Sequence, residues 1–143
     1  MIEMDSEKIL RTALRIVGTG SMLAVSAVVM PGSWMAAVHQ KLGLGLFPES
    51  AIVDYLARQL SAFYVVFGGL FVMLAYDVRG YAKLISYVGW ATIGLGLVFT
   101  VVDILDGLPL WWIVAEGPGA VGFGAMVLAL QRKISHDSVS SPT

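Results

Sequence analysis

The chain has 143 residues, 57% of them hydrophobic and 13% charged, with a formal net charge of −1 and no cysteine. That balance leaves too little polar surface to keep a soluble domain dispersed, and it offers no basic field for nucleic acid. Disulfides, thiolate metal sites, iron–sulfur clusters and cysteine nucleophiles are excluded outright. The length allows one domain, here 1–134 followed by a tail.

Residues 1–15 mix both signs of charge: Glu3, Asp5, Glu7, Lys8, Arg11 and Arg15. Asp5 or Ser6 is placed to cap a helix that starts before the membrane. Arg11 and Arg15 stand four apart, share a face and can reach the headgroups. The apolar run Ile16–Met30 follows, with Leu10 to Leu14 as its lead-in. A spanning helix needs roughly 20 residues, so the first span is expected at about 10–31, with Pro31-Gly32 closing it. A signal peptide is the rival reading of this segment, with Ala36-Ala37 as the small residues at its end.

The stretch from His39 to Tyr64 is the longest interruption of the hydrophobic pattern. Its first part belongs to a loop expected over Gly32 to Glu49, in which Gly43 and Gly45 break any helix. Trp34 and Met35 suit a membrane interface. Pro48-Glu49-Ser50 reads as a helix start, with the acid at the positive end of the dipole. The second span is expected over about 51–76. Asp54, Arg58 and Ser61 fall at i, i+4 and i+7 and form one polar stripe on it.

Asp77-Val78-Arg79-Gly80 makes a turn into a third span at about 81–105, which ends near Asp103 and Asp106. Gly107-Leu108-Pro109 turns the chain into a fourth span at about 110–131. That span opens with Trp111-Trp112 and Glu116-Gly117-Pro118, and Gln131-Arg132-Lys133 stops it. The tail 135–143 is polar and Ser-rich, and is expected to be disordered. Of the nine Lys and Arg, all but Lys41 and Arg58 fall on one side of four spans. Both termini are therefore expected in the cytoplasm and the His39 loop outside. The fold expected is all-α: an integral membrane four-helix bundle of up-down topology.

Charge inside the bilayer is confined to the outer half. Arg58, Asp103 and Glu116 map to similar depth, and a charge there must be paired. Arg58 is expected to pair with Glu116, Asp103 or both, with Asp54 as a further partner on its own helix. One reading is a structural ion-pair network, and a lesser one is exposure to the headgroups with no specific role. The third is a site open to the outer side, lined by His39, Arg58, Asp103, Glu116 and nearby aromatics, with Ser61, Trp111 and Trp112 beside it. His39 is a ligand, a base or an ordinary loop residue. With Asp54, Asp103 or Glu116 it shows no zinc-type spacing, so no metal is assigned and no cofactor is named. Gly117-Pro118-Gly119-Ala120-Val121-Gly122 matches the dinucleotide pattern but has no preceding strand, and reads as helix packing. Gly18, Gly20, Gly89, Gly94 and Gly96 read the same way.

These motifs together resemble a family of small four-span bacterial inner-membrane proteins to which no activity is attached. The residues that carry the resemblance are His39 with Leu42-Gly43-Leu44-Gly45 and Pro48, then Tyr55-Leu56-Ala57-Arg58 with Ser61 and Tyr64. It continues through Asp77-Val78-Arg79 with Tyr81, Gly89, Asp103, Gly107-Leu108-Pro109, Trp111-Trp112 and Glu116-Gly117-Pro118. It covers about Trp34 to Leu130 and implies a four-span protein with its polar signature on the outer side.

Three functions follow as expectations. The first is a binding or accessory subunit that holds a lipophilic small molecule or docks in a larger membrane complex or homo-oligomer. The second is a membrane enzyme acting on a lipid-soluble substrate, with Glu116 or Asp103 as acid/base and Arg58 binding an anionic group. The third, a transporter or channel, is weaker, because the spans offer no continuous polar path.

Overall fold

The computed structural model of the chain describes residues 2–140, with side chains described over 5–136. Among the described residues every regular element is helical: α1 Ile2–Met22, α2 Val25–Val29, α3 Gly32–Lys41, α4 Ala51–Leu74, α5 Ala82–Leu105 and α6 Leu110–Ser140. Four stretches are long and apolar enough to cross a bilayer: Asp5–Val29, Ala51–Leu74, Ala82–Leu105 and Leu110–His136. At 1.5 Å per residue each reaches the roughly 30 Å of a hydrocarbon core. Their length and composition are those of a multi-pass membrane protein. The chain divides into two compact units, Leu14–Met73 and Met1–Ala13 with Leu74–Thr143, and α1 supplies its first turns to one and its remainder to the other.

In the unit Leu14–Met73 the first apolar stretch is broken in two. Around Leu23-Ala24 the backbone changes to i→i−3 bonding: Leu23 N–H to Gly20 O, Ala24 N–H to Ser21 O and Ser26 N–H to Leu23 O. The sequence before it, Gly18-Thr19-Gly20-Ser21, is a run of poor helix formers. The Ser26 hydroxyl also donates to the Leu23 carbonyl at 2.8 Å, a local bond that competes with the regular ladder. Pro31 then ends α2. It holds Met30 extended, at φ −69° and ψ 148°, as the residue before a proline prefers. The α1–α4 contact is set by two glycines. A Cβ on Gly18 would lie 2.7 Å from the Gly68 carbonyl oxygen, and one on Gly68 would lie 2.5 Å from the Gly18 oxygen.

The segment expected as a loop over 32–49 is half helical. Ten residues form α3 before Gly43 stops it. The stop is a Schellman turn: Gly43 at φ +73° donates to Gln40 O, and Leu44 donates to His39 O. Gly43 and Gly45 do break the helix, but only after two and a half turns have formed.

In the other unit α5 and α6 form an antiparallel hairpin. Asp106-Gly107-Leu108 closes α5 by the same device, with Gly107 at φ +68°, its N–H on Ile104 O and the Leu108 N–H on Asp103 O. Glycines set the crossing. Gly96 faces Gly117, and Gly89 faces Gly124. Both pairs are seven residues apart on each helix, two turns, so the contact recurs on one face. A Cβ on Gly96 would lie 2.6 Å from the Gly117 oxygen, and one on Gly124 would lie 2.6 Å from the Gly89 oxygen. Pro118 sits inside α6 beside this contact. It cannot donate to the carbonyl four residues back, which frees the backbone to bend there. The buried apolar residues Leu10, Leu74, Val78, Ile85, Val127 and Ile134 mark this unit's core. They come from the start of α1, the Leu74–Val78 turn, the start of α5 and the end of α6. The helix α6 runs through Ser140. It passes Gln131–Lys133, where the sequence predicts the end of the span, and Ser135, where it predicts disorder. Residues 141–143 of that tail lie outside the described residues.

The glycine crossing makes a paired prediction. Gly96→Ala should destabilise the protein by about 1–3 kcal/mol, because a buried methyl is forced against backbone. Gly94→Ala, which meets open space, should be neutral or stabilising by about 0.5 kcal/mol. Denaturant titration in detergent micelles reads both, and equal losses would remove the close crossing as their cause.

Candidate functional site

The polar stripe of α4 is the best-defined group of charged contacts in the unit Leu14–Met73. Asp54 and Arg58 stand one turn apart, and Arg58 Nε donates to Asp54 Oδ2 at 2.9 Å. The rest of the guanidinium crosses to the broken end of α2. Its Nη1 donates to the Val28 carbonyl at 2.6 Å and its Nη2 to the Met30 carbonyl at 3.1 Å. Those carbonyls sit where Pro31 interrupts the ladder, so the helix supplies them no regular donors. They also lie at the negative end of a helix, which favours a cation. The planar fork of arginine suits two neighbouring acceptors as a lysine would not. Within this unit Arg58 thus meets Asp54, the partner expected on its own helix, and the Val28 and Met30 carbonyls, which the sequence reading did not name. Ser61 completes the stripe but turns inward, donating to the Ala57 carbonyl at 2.8 Å.

His39 lies on the last turn of α3 and fastens the loop that follows. Its Nδ1 is 3.2 Å from the Gly45 carbonyl. A carbonyl only accepts, so Nδ1 carries the proton in this bond. The ring meets Phe47 edge-on at 5.4 Å between centroids. His39 is thus placed as a loop latch, and Phe47 forms one wall of an adjoining cleft. That cleft, about 390 Å³ and open, runs between the start of α3 and the start of α4, with Gly32, Ser33, Glu49, Ser50 and Asp54 also along it. Asp54 bridges the two features: Oδ2 holds Arg58, while Oδ1 faces Gly32, 4.0 Å from where a Cβ on that residue would stand.

The other predicted residues belong to the α5–α6 hairpin. Trp112 Nε1 donates to Glu116 Oε2, one turn on. Trp111 and Trp112 meet edge to face at 5.4 Å. Asp103 is only 5% exposed, and its Oδ2 has no partner among the described residues.

Two polar features escaped the sequence reading. Glu7 accepts from Arg11 Nη2 at 2.6 Å and from Arg79 Nε at 2.9 Å, while Arg11 Nη1 reaches the Tyr76 carbonyl at 3.3 Å. The start of α1 is thereby tied to the Tyr76–Arg79 turn, and Arg11 is a staple as well as a headgroup contact. The i,i+4 spacing of Glu7 and Arg11 was the available signal. The second feature is Gln131, 2% exposed, with neither amide atom partnered among the described residues. Its neighbours Arg132 and Lys133 made it look like a surface residue.

The described residues contain no group of three or more His, Cys, Asp or Glu side chains placed to hold a metal ion. The chain matches no protein-family model, no curated protein and no solved structure.

A buried amide without partners costs about 1–3 kcal/mol. Gln131→Met, which keeps the volume and removes the polar atoms, should therefore raise stability by about 1 kcal/mol. The midpoint of thermal unfolding in micelles checks this, and a fall would mean that the amide is hydrogen-bonded in the folded protein.

Proposed function

We propose that the chain is a four-span protein of the bacterial inner membrane that serves as a binding or accessory subunit for a lipophilic ligand. Both termini lie in the cytoplasm, and the segment around α3 lies outside. The distribution of Lys and Arg supports this orientation. The resemblance to small four-span bacterial membrane proteins supports the compartment.

The observation that carries the binding reading is the cleft beside α3. Its volume of about 390 Å³ falls in the range of small-molecule sites, and it combines an aromatic wall with a few polar groups. Arg58 weighs against a catalytic role for itself. Its described bonds all go to Asp54 and two backbone carbonyls, which leaves it to hold the fold. Glu116 is likewise engaged by Trp112. A second reading rests on Asp103. Its buried carboxylate oxygen, without a partner among the described residues, is the kind of acid or base an enzyme acting on a lipid-soluble substrate would use, with Glu116 on the neighbouring helix of the hairpin.

Native mass spectrometry on protein released gently from its own membrane tests the proposal. A retained lipophile of defined mass, or co-migrating larger subunits, is the expected result. A bare protomer that turns over a lipid-soluble substrate, with the activity lost in Glu116→Gln, would replace it by the enzyme reading.

A further inference from the structure

We infer that α3 is an interfacial helix that lies on the membrane surface, with Val38 and Leu42 set into the lipid beneath it. The inference goes beyond the binding role proposed above. It needs no ligand in the cleft, and it holds for either orientation of the chain.

The chain ties α3 to the membrane boundary at both ends. The helix is ten residues long, too short to span a bilayer, which takes roughly 20. The apolar stretch Asp5–Val29 ends just before it, and Ala51–Leu74 starts just after the loop that follows it. Met30 and Pro31 are both extended, at ψ 148° and 143°, so the axis of α2 is not carried on into α3. Arg58 holds the Met30 carbonyl, and Asp54 Oδ1 lies 4.0 Å from where a Cβ on Gly32 would stand. The start of α3 is thereby fixed beside the first turns of α4. At the other end His39 holds the returning loop through the Gly45 carbonyl and Phe47.

The sides of the helix differ in a way that sets how it lies. Successive residues turn by about 100°. Met35, Ala36 and His39 then share one side, and they are half-buried, so this side faces the protein. Ser33 and Gln40, at i and i+7, form an exposed polar edge next to it. Val38 and Leu42 lie opposite that edge and are exposed. Trp34 and Lys41, again at i and i+7, are exposed on the side turned away from the protein. With Ser33 and Gln40 turned to water, Val38 and Leu42 point down into the acyl boundary. The same rotation brings Trp34 and Lys41 level with the headgroups, where tryptophan is favoured and a lysine stem reaches phosphate. A helix standing upright would leave Trp34, Val38 and Leu42 in water. The two neighbouring spans bring lipid to this face, so no further partner is needed to cover it.

The test exploits the lack of cysteine. Single substitutions place one spin label at a time on the full chain in vesicles of phosphatidylcholine and phosphatidylglycerol. Collision with oxygen, which partitions into lipid, is compared with collision with a neutral water-soluble nickel chelate. The ratio of oxygen to nickel collision should be several-fold higher for Val38→Cys and Leu42→Cys than for Ser33→Cys and Gln40→Cys. Val66→Cys, at an exposed position inside α4, should give the highest ratio and marks the lipid interior. A low ratio at all four α3 positions, with a high one at Val66, overturns the inference and leaves the span in place. A low ratio at Val66 as well overturns both. Shielding of Val38 and Leu42 from both reagents also overturns the inference, since protein and not lipid would then cover the face.

Discussion

A backbone carbonyl in or beside a bilayer must find a donor, and Pro31 removes donors at the end of the first apolar stretch. Much of the unit Leu14–Met73 can be understood as the answer to that constraint. Unsatisfied backbone groups in lipid cost several kcal/mol each, so a chain that breaks a helix there must answer the break with a side chain. Arg58 does so from two turns into α4, reaching the Val28 and Met30 carbonyls. Asp54 holds the guanidinium in place and balances its charge. With the end of α2 fixed, α3 starts at Gly32, and Asp54, which holds the guanidinium, lines the cleft beside it. The charge and the broken helix each look costly alone, and each makes the other tolerable.

The α5–α6 hairpin meets the same solvent differently. Its helices touch through Gly89, Gly96, Gly117 and Gly124, where backbone lies against backbone. Lipid tails give no hydrophobic drive to bring helices together, so close van der Waals contact has to supply it. Thr100 fits this scheme by donating to the Gly96 carbonyl of its own helix, which keeps its hydroxyl satisfied at the crossing. Polar groups that are not satisfied within this unit, Asp103 Oδ2 and the Gln131 amide, are then conspicuous.

The helical class and the four long apolar helices were legible because their signals are long: about twenty apolar residues, bounded by Gly, Pro and charge. The turns at Gly43 and Gly107 were legible as single residues, since a left-handed cap favours glycine. Helix α3 was not, because Gly43 and Gly45 were allowed to erase the residues before them. The spacing of Trp34, Val38 and Leu42 held the missing signal. The carbonyl partners of Arg58 were hidden for a different reason. Backbone acceptors have no letters in a sequence, and a search for carboxylates passes over them. Counting the last carbonyls of a helix that stops before Pro31 would have pointed to the right place. Gln131 was misread through its neighbours, since Arg132 and Lys133 say nothing about the direction of the residue before them.

One side chain thus fastens one break, and the α3 segment and its cleft depend on it. Hydrogen–deuterium exchange on Arg58→Lys reads that dependence directly, because lysine keeps the charge and loses the fork. Faster exchange is expected, confined to the amides from Leu23 to Leu44, with the α5–α6 hairpin unchanged. Exchange that is unaltered in that segment, or that rises equally along the whole chain, would contradict it.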